Sequence, residues 1–365
     1  MPRDYSLTGS DTERAVAAGL AAAEWYYTDV PRKVMKDLMK RRDGVAMRDT
    51  VIWIGLHVLF AAGGIYFWGA WPAVCFWLAY GVLYGSACDS RWHECGHGTA
   101  FRTRWMNNVV YHIASFQVMR NPMSWRWSHA RHHTDTSIVG RDPEIAWMHP
   151  IKLGLKALAY VGLWDVWGSL KTLLRNAAGR LSTDERAYIP ESEIPKVVFW
   201  ARVHVGIYAL TLAVALAMLI SKAGWFSLVP FLLIGGPRIY GCWHMVMTGL
   251  LQHGGLAEDV LDHRLNSRTL YLNPISRWIY WNMNYHVEHH MFPMVPYYAL
   301  PKLHEVLKHD LPPANTSLWD GYREMIVAVL RQRREPGYAL VKELPATAKP
   351  YRAHLHNTVL AHAEA

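Results

Sequence analysis

Histidine is the chemistry-bearing residue that stands out in this chain, at 20 of 365 positions. Eight of these histidines fall in three short clusters: HECGH at His93 to His97, HARHH at His129 to His133, and NYHVEHH with His286, His289 and His290. On an α-helix, positions i, i+3 and i+4 share a face, so each cluster can aim two or three imidazoles at one point. Eight imidazoles exceed the needs of a single ion, because a catalytic zinc takes three protein ligands. Eight nitrogen donors divide more naturally between two ions of a metal that suits imidazole, such as iron, so the expected centre is dinuclear. Soluble di-iron bundles rely on bridging carboxylates and paired Glu-x-x-His motifs, whereas here that motif occurs once, at Glu94 to His97. A His-rich ferrous pair suits reduction of O2 coupled to removal of hydrogen from an unactivated C–H bond, which acid–base groups alone cannot achieve.

Clusters almost 200 residues apart need a scaffold that brings them together, and the apolar runs between them supply one. Val51 to Cys88 contains no Lys, Arg, Asp or Glu. As a helix it would reach roughly 57 Å, about twice a bilayer's hydrocarbon core. Gly69 to Pro72 offers a turn in its middle, so two spans are expected, about 51–69 and 72–88. Val197 to Ala257 carries only Arg202, Lys222 and Arg238, and the polar break at Ser221 to Gly224 divides it into spans of about 200–220 and 225–250. The fold class is therefore all-α integral membrane: four transmembrane helices in two hairpins, with interfacial helices and a cytosolic helical cap holding the His-rich dinuclear site. Residues 1–50 are expected to be N-terminal cytosolic or interfacial helices, 51–310 the catalytic domain, and 311–365 a cytosolic helix with a mobile tail.

Basic residues set the orientation. Seven Lys or Arg lie between Arg32 and Arg48, ahead of the first span, while the hairpin turns contain only Lys222. Short basic flanks stay cytosolic, so both termini and all three clusters face the cytosol of a multi-pass cell-membrane protein. Ile151 to Arg175, apolar at helical spacing with Trp164 and Trp167, reads as a helix lying in the interface. Ser10 with Glu13 resembles a capping box opening a surface helix through Ala15 to Tyr27. The tail from Glu335 onward is polar and expected to be mobile.

Composition excludes other classes. With 52% hydrophobic and 18% charged residues, the chain is neither disordered nor fibrous. The net charge of +9 lies beside apolar segments, which indicates a lipid bilayer as partner and no nucleic acid. Four Cys without a CxxC pair make a zinc ribbon or iron–sulfur cluster improbable, and neither a haem-attachment nor a dinucleotide motif is present, so the electron source is external.

HECGHGT, HARHHTDT and NYHVEHHMFP, in that order between two pairs of spans, resemble the three histidine boxes of the membrane fatty acid desaturase and hydroxylase superfamily, across roughly Trp53 to Leu307. The resemblance implies a non-haem di-iron oxidoreductase holding two Fe2+ ions with O2 as co-substrate. It also implies a ferredoxin or cytochrome, with its reductase, as electron donor and a hydrophobic or acyl substrate that is desaturated or hydroxylated. It makes metal ligands of His93, His97, His129, His132, His133, His286, His289 and His290, and of His253 in LLQHGGLAED as the further ligand that members draw from beyond the fourth span. QHGGLAEDVLDHRLNSRT together with MNYHVEHHMFPMVPYYALPKLH also resembles the rhizopine-oxygenase-like branch, which implies oxidative O-demethylation of a small methylated polyol as the alternative.

Several residues are open to a second reading. Asp135, Asp142 and Glu288 sit beside the boxes as candidate acceptors for imidazole N–H groups, or as ordinary solvated acids. Arg202 and Arg238 either reach a span end or line a cavity. Arg102, Arg104, Arg126 and Arg131 either receive an acidic carrier or scaffold the centre. His57, His112, His149, His204, His244 and His263 are assigned no role. HECGH also fits the HExxH pattern of a membrane zinc metalloprotease with Glu94 as base, but that reading leaves six clustered histidines idle.

Overall fold

A computed structural model of the chain describes residues 3–145 and 148–352. Those residues are all-helical: no strand occurs among them beyond two isolated bridges, Thr269 with Tyr285 and Leu270 with Asn315.

Two short helices precede the first long one. α1 (Ser10–Ala17) and α2 (Arg32–Leu38) precede α3 (Asp43–Tyr66), which hairpins onto α4 (Pro72–Gly85). Pro72 opens α4 at its first turn, where a missing N–H costs nothing. The expected capping box is absent. Gly9 is the N-cap, Ser10 lies inside the helix, and the turn around Gly19 (φ +71°) ends α1 well short of Tyr27. Asp11 instead accepts from the Asp4 N–H, and Thr12 donates to the Gly140 carbonyl, so tertiary contacts fix this segment rather than its own cap.

α5 (Ala87–His97) and α6 (Arg104–Gln117) pack closely together, followed by α7 (Pro122–Thr134). Asn121 caps α7, accepting from the Met123 and Ser124 N–H groups. The expected interfacial helix is two pieces, α8 (Leu153–Ala159) and α9 (Leu163–Ala177), divided at Gly162 (φ +69°). α9 lies along α11 (Ile194–Ile220), reached through α10 (Thr183–Tyr188), whose capping box of Ser182 and Glu185 is formed on both sides.

α3 and α11 are long and apolar enough to cross a membrane. Val58 on α3 and Leu210 on α11 are about two-thirds exposed, as expected of side chains that meet lipid. The expected fourth span is not one helix. It is a 3-10 turn (Gly224–Leu228), α12 (Val229–Leu233), α13 (Pro237–Tyr240) and α14 (Trp243–His253). Gly235, at φ +82°, and Pro237 supply the interruption. α13 runs so close to α4 that a Cβ on Gly241 would lie 1.9 Å from the Gly81 carbonyl oxygen, and one on Gly85 would lie 2.5 Å from that of Pro237. The Gly81–Gly85 pair therefore permits backbone contact between the hairpins.

The remaining helices are α15 (His263–Asn266), α16 (Pro274–Ile279), α17 (His286–Met291), α18 (Leu300–Leu307) and α19 (Leu318–Gln332). The main core joins the two regions, with Trp53 from α3, Trp92 from α5, Tyr111 from α6 and Trp281 before α17. The tail was expected to be mobile from Glu335, but it packs as far as Arg352. Tyr351 and Val341 join Val260 and Leu265, and the carbonyls of Lys349 and Pro350 accept from Arg264. Residues 353–365 lie outside the described residues.

Candidate metal centre

Four elements bring imidazoles to one place: α5 carries His93 and His97, α7 carries His129, His132 and His133, the last turn of α14 carries His253, and α17 carries His286, His289 and His290. They sort into two groups, within each of which the donor atoms lie no more than 4.8 Å apart. One contains His93, His97, His129, His133 and His289; the other contains His132, His253, His286 and His290. The groups adjoin, since the His133 ring of the first stacks on the His290 ring of the second at 4.4 Å. All nine residues singled out in the sequence are thus brought together, including His253, 33 residues beyond the end of α11. The other histidines among the described residues lie outside both groups. His263 comes nearest: its ring stacks on Trp25 at 4.2 Å and stands 5.0 Å from that of His290.

The ring orientations follow from the outer nitrogens. His253 Nδ1–H donates to the Asn266 carbonyl at 2.8 Å. Thr136 Oγ1 donates to the His132 carbonyl and so accepts from His290 Nδ1–H at 3.2 Å. In both rings, therefore, Nε2 presents a lone pair, and both face His286 Nε2 at 3.0 Å. One proton on His286 serves only one of them. Close pairs recur in the first group, His93 with His289 at 2.7 Å and His97 with His129 at 3.0 Å, each through Nε2. Two nitrogens bound about 2.1 Å from an ion at a right angle are separated by about 3.0 Å, so this crowding of acceptors fits a cation between them.

Carboxylates hold the α7 rings. Asp142 faces His132 Nδ1 at 2.9 Å and Glu144 faces His129 Nδ1 at 3.1 Å. Asp142 also accepts from the Glu144 N–H, so one short loop sets both acids. Burial pushes the Glu144 carboxyl up to about 7. Desolvation pulls His97 down to about 4, with the positive field of His132 adding to it, and holds His93, His129, His133, His253, His286, His289 and His290 well below the ordinary range. Burial lowers His132 as well, but the adjoining Asp142 outweighs it and the net shift is upward. Neutral imidazole is the ligating form.

Of the three acids singled out beside the boxes, only Asp142 meets a box imidazole. Asp135 pairs with Arg131 and Arg141, and Glu288 accepts from Thr269 Oγ1 at 2.5 Å and contacts His304 Nδ1. Glu144 and His304 escaped the sequence reading. Their partners lie 15 and 16 residues away, beyond any helical spacing, although Glu144 does follow Asp142 in a DPE turn. Arg202 is exposed and reaches the Ala177 carbonyl, whereas Arg238 is fully buried, donating to Gly85 O and to Asp165 at 2.6 Å. Arg238 lines a cavity of about 250 Å3 that is also lined by His93, His129, His132, His253 and His286. Arg102 and Arg104 are exposed, while Arg126 and Arg131 are half-buried over Tyr111 and against the Ala187 carbonyl. Glu94 accepts from the Tyr297 N–H and stands outside both imidazole groups, which leaves the metalloprotease reading without its base.

The fatty acid desaturase family profile matches residues 69–322, the stretch that holds all nine imidazoles. The chain belongs to the fatty acid desaturase family. Among relatives of this desaturase-family chain is the acyl-lipid (9+3)-(E)-desaturase of Dimorphotheca sinuata, 24% identical over 68% of this chain and 73% of the relative. The chloroplastic omega-3 fatty acid desaturase of Sesamum indicum is 25% identical over 73% of this chain, which spans only 61% of that protein. The sn-1 acyl-lipid omega-3 desaturase (ferredoxin) of Synechocystis sp. is 24% identical over 70% and 72%.

Proposed function

We propose that the chain is a membrane-bound, O2-dependent oxidoreductase that oxidises an unactivated C–H bond at a pair of iron ions. The observation that carries this reading is the division of nine buried imidazoles into two adjoining groups. His93, His97, His129, His133 and His289 would hold one ion, and His132, His253, His286 and His290 the other. When bound, two ferrous ions supply the O2 reduction and hydrogen removal that side chains cannot provide.

The chain's own residues do the rest. Asp142 and Glu144 keep the Nδ1 protons of His132 and His129 and turn their Nε2 atoms inward. Trp92 and Trp125, packed edge to face at 4.8 Å, form the dry wall of the cavity beside the first group. Electrons come from a separate carrier, and the ferredoxin named for the Synechocystis relative is the first candidate. Four crossings with the termini and the centre on the cytosolic side complete the proposal. α3 and α4 form one pair, and α11 with the interrupted α12–α14 segment forms the other.

The relatives' names point to desaturation of a fatty acyl lipid, and hydroxylation begins with the same hydrogen removal. A second reading, oxidative O-demethylation of a small methylated polyol, is favoured by the charged groups in the cavity beside the imidazoles. The test of the reaction class is metal analysis with O2 uptake on purified protein, supplied with reduced ferredoxin. About two irons per chain and O2 consumption are expected; one zinc with peptide cleavage would defeat the reading. Mass spectrometry of lipids and polar metabolites from cells expressing the chain, against a His132→Ala control, then reports the substrate.

A further inference from the structure

The two imidazole groups are held differently. In the first, Glu144 holds His129, while Nδ1 of His133 and Nδ1 of His289 are buried without a hydrogen-bond partner among the described residues. In the second, His253 and His290 rest on Asn266 and Thr136, and the turn that carries Thr136 also braces the acid behind His132.

Thr136 lies one turn beyond His132 and is fully buried. Its hydroxyl donates to the His132 carbonyl at 2.6 Å and faces His290 Nδ1 at 3.2 Å. The next residue, Ser137, donates its N–H at 2.8 Å to the Asp142 oxygen that also meets His132 Nδ1. Asn266 ends α15 and is equally buried. Its backbone carbonyl takes the His253 Nδ1–H, and its side-chain amide donates to the Thr136 carbonyl at 3.1 Å. A carbonyl only accepts, so the amide nitrogen must face Thr136 and Oδ1 must turn back, where Ser267 Oγ donates to it at 3.0 Å. One hydrogen bond thus joins the support of His253 to the support of His290. Among the described residues, no ring of the first group bonds to Thr136 or Asn266.

A helix of 4 residues is a weak anchor by itself, and segments near both ends of the chain secure this one. Trp25 stacks on His263, and Arg264 lies over the Tyr26 ring at 3.8 Å. Arg264 also pairs with Asp262 and Asp310 and donates to the carbonyls of Lys349 and Pro350. The place of Asn266 is therefore set by packing outside the imidazole cage.

We propose that Asn266 and Thr136 are positioning residues for one metal ion only, that of His132, His253, His286 and His290, and that the bond between them sets two of its ligands together. The inference rests on the dinuclear reading above. Asn266→Asp keeps the size and the acceptor for Ser267 but turns a carboxylate on the Thr136 carbonyl. Thr136→Val keeps the shape but removes the acceptor for His290 Nδ1. The experiment is anaerobic Fe2+ titration of the metal-free full chain in nanodiscs, followed by calorimetry, with the melting temperature of each metal-free protein recorded. Wild-type protein is expected to bind two ions. Asn266→Asp and Thr136→Val should each weaken one ion at least tenfold and leave the other at its parental affinity, and Thr136→Ser should restore both. Asn266→Asp added to His253→Ala should leave the remaining ion at its parental affinity, which identifies the ion that Asn266 serves. Equal weakening of both ions, no weakening of either, or weakening of the remaining ion in the His253→Ala background overturns the inference. So does a loss of binding that tracks a lower melting temperature of the metal-free protein. Wild-type protein that binds fewer than two ions overturns the dinuclear reading itself, and that result is read before any variant.

Discussion

At the scale of single residues, the centre depends on which nitrogen of each ring carries the proton. Replacing Asp142 by Asn leaves volume unchanged but weakens the acceptor that fixes His132, and the expected loss is about 10–100-fold in metal affinity, measured by chelator competition. His253→Ala should lower the metal content of purified protein, whereas His263→Ala, outside both donor groups, should retain it. The nine imidazoles were legible in the sequence because helical spacing and three short motifs reveal them, with His253 resting on family resemblance alone. Glu144 was not legible: its bond to His129 depends on how the Asp142 loop folds back on α7, a tertiary event with no periodic signature. Nor does spacing separate the imidazoles into two groups. His132 and His133 are adjacent in sequence, yet about 100° apart around α7, and they serve different groups.

At the scale of elements, the contact between hairpins is made by backbone. Gly241→Val would drive a side chain into the Gly81 carbonyl, and the expected outcome is loss of monodisperse protein in detergent, read by fluorescence-detected gel filtration. Gly55→Ala, on α3 with nothing within 4 Å of the added carbon, should behave as the parent and melt no lower. The apolar runs showed where helices would lie, but not that the fourth would be interrupted three times. Two of the three interruptions serve a local contact: the break at Gly235 to Pro237 sets Arg238 facing Asp165, and at the start of α14 the Cys242 thiol meets the Ala159 carbonyl. The α1 boundary was misread because Ser10 and Glu13 have capping-box spacing, whereas contacts to Asp4 and Gly140 decide where that helix begins.

At the scale of the whole molecule, the two long helices anchor one end and the imidazole cage closes the other. The chain holds no reductase of its own in its motifs, so turnover in isolated membranes should vanish without an added carrier, and NADH alone should not restore O2 uptake. The two anchoring helices contrast with their partners in length. α3 is 24 residues long, roughly 36 Å of helix, while α4 is 14, roughly 21 Å. The shorter helix falls short of an average hydrocarbon slab of about 30 Å, and its neighbour across the Gly81–Gly85 seam is a set of even shorter pieces. On the proposed four-crossing topology, lipid on that flank would thin to meet them, and this protein would then distort a thick membrane on one side only and partition toward thinner ones. Melting temperature measured across phosphatidylcholines of increasing chain length should peak at the short end of the series.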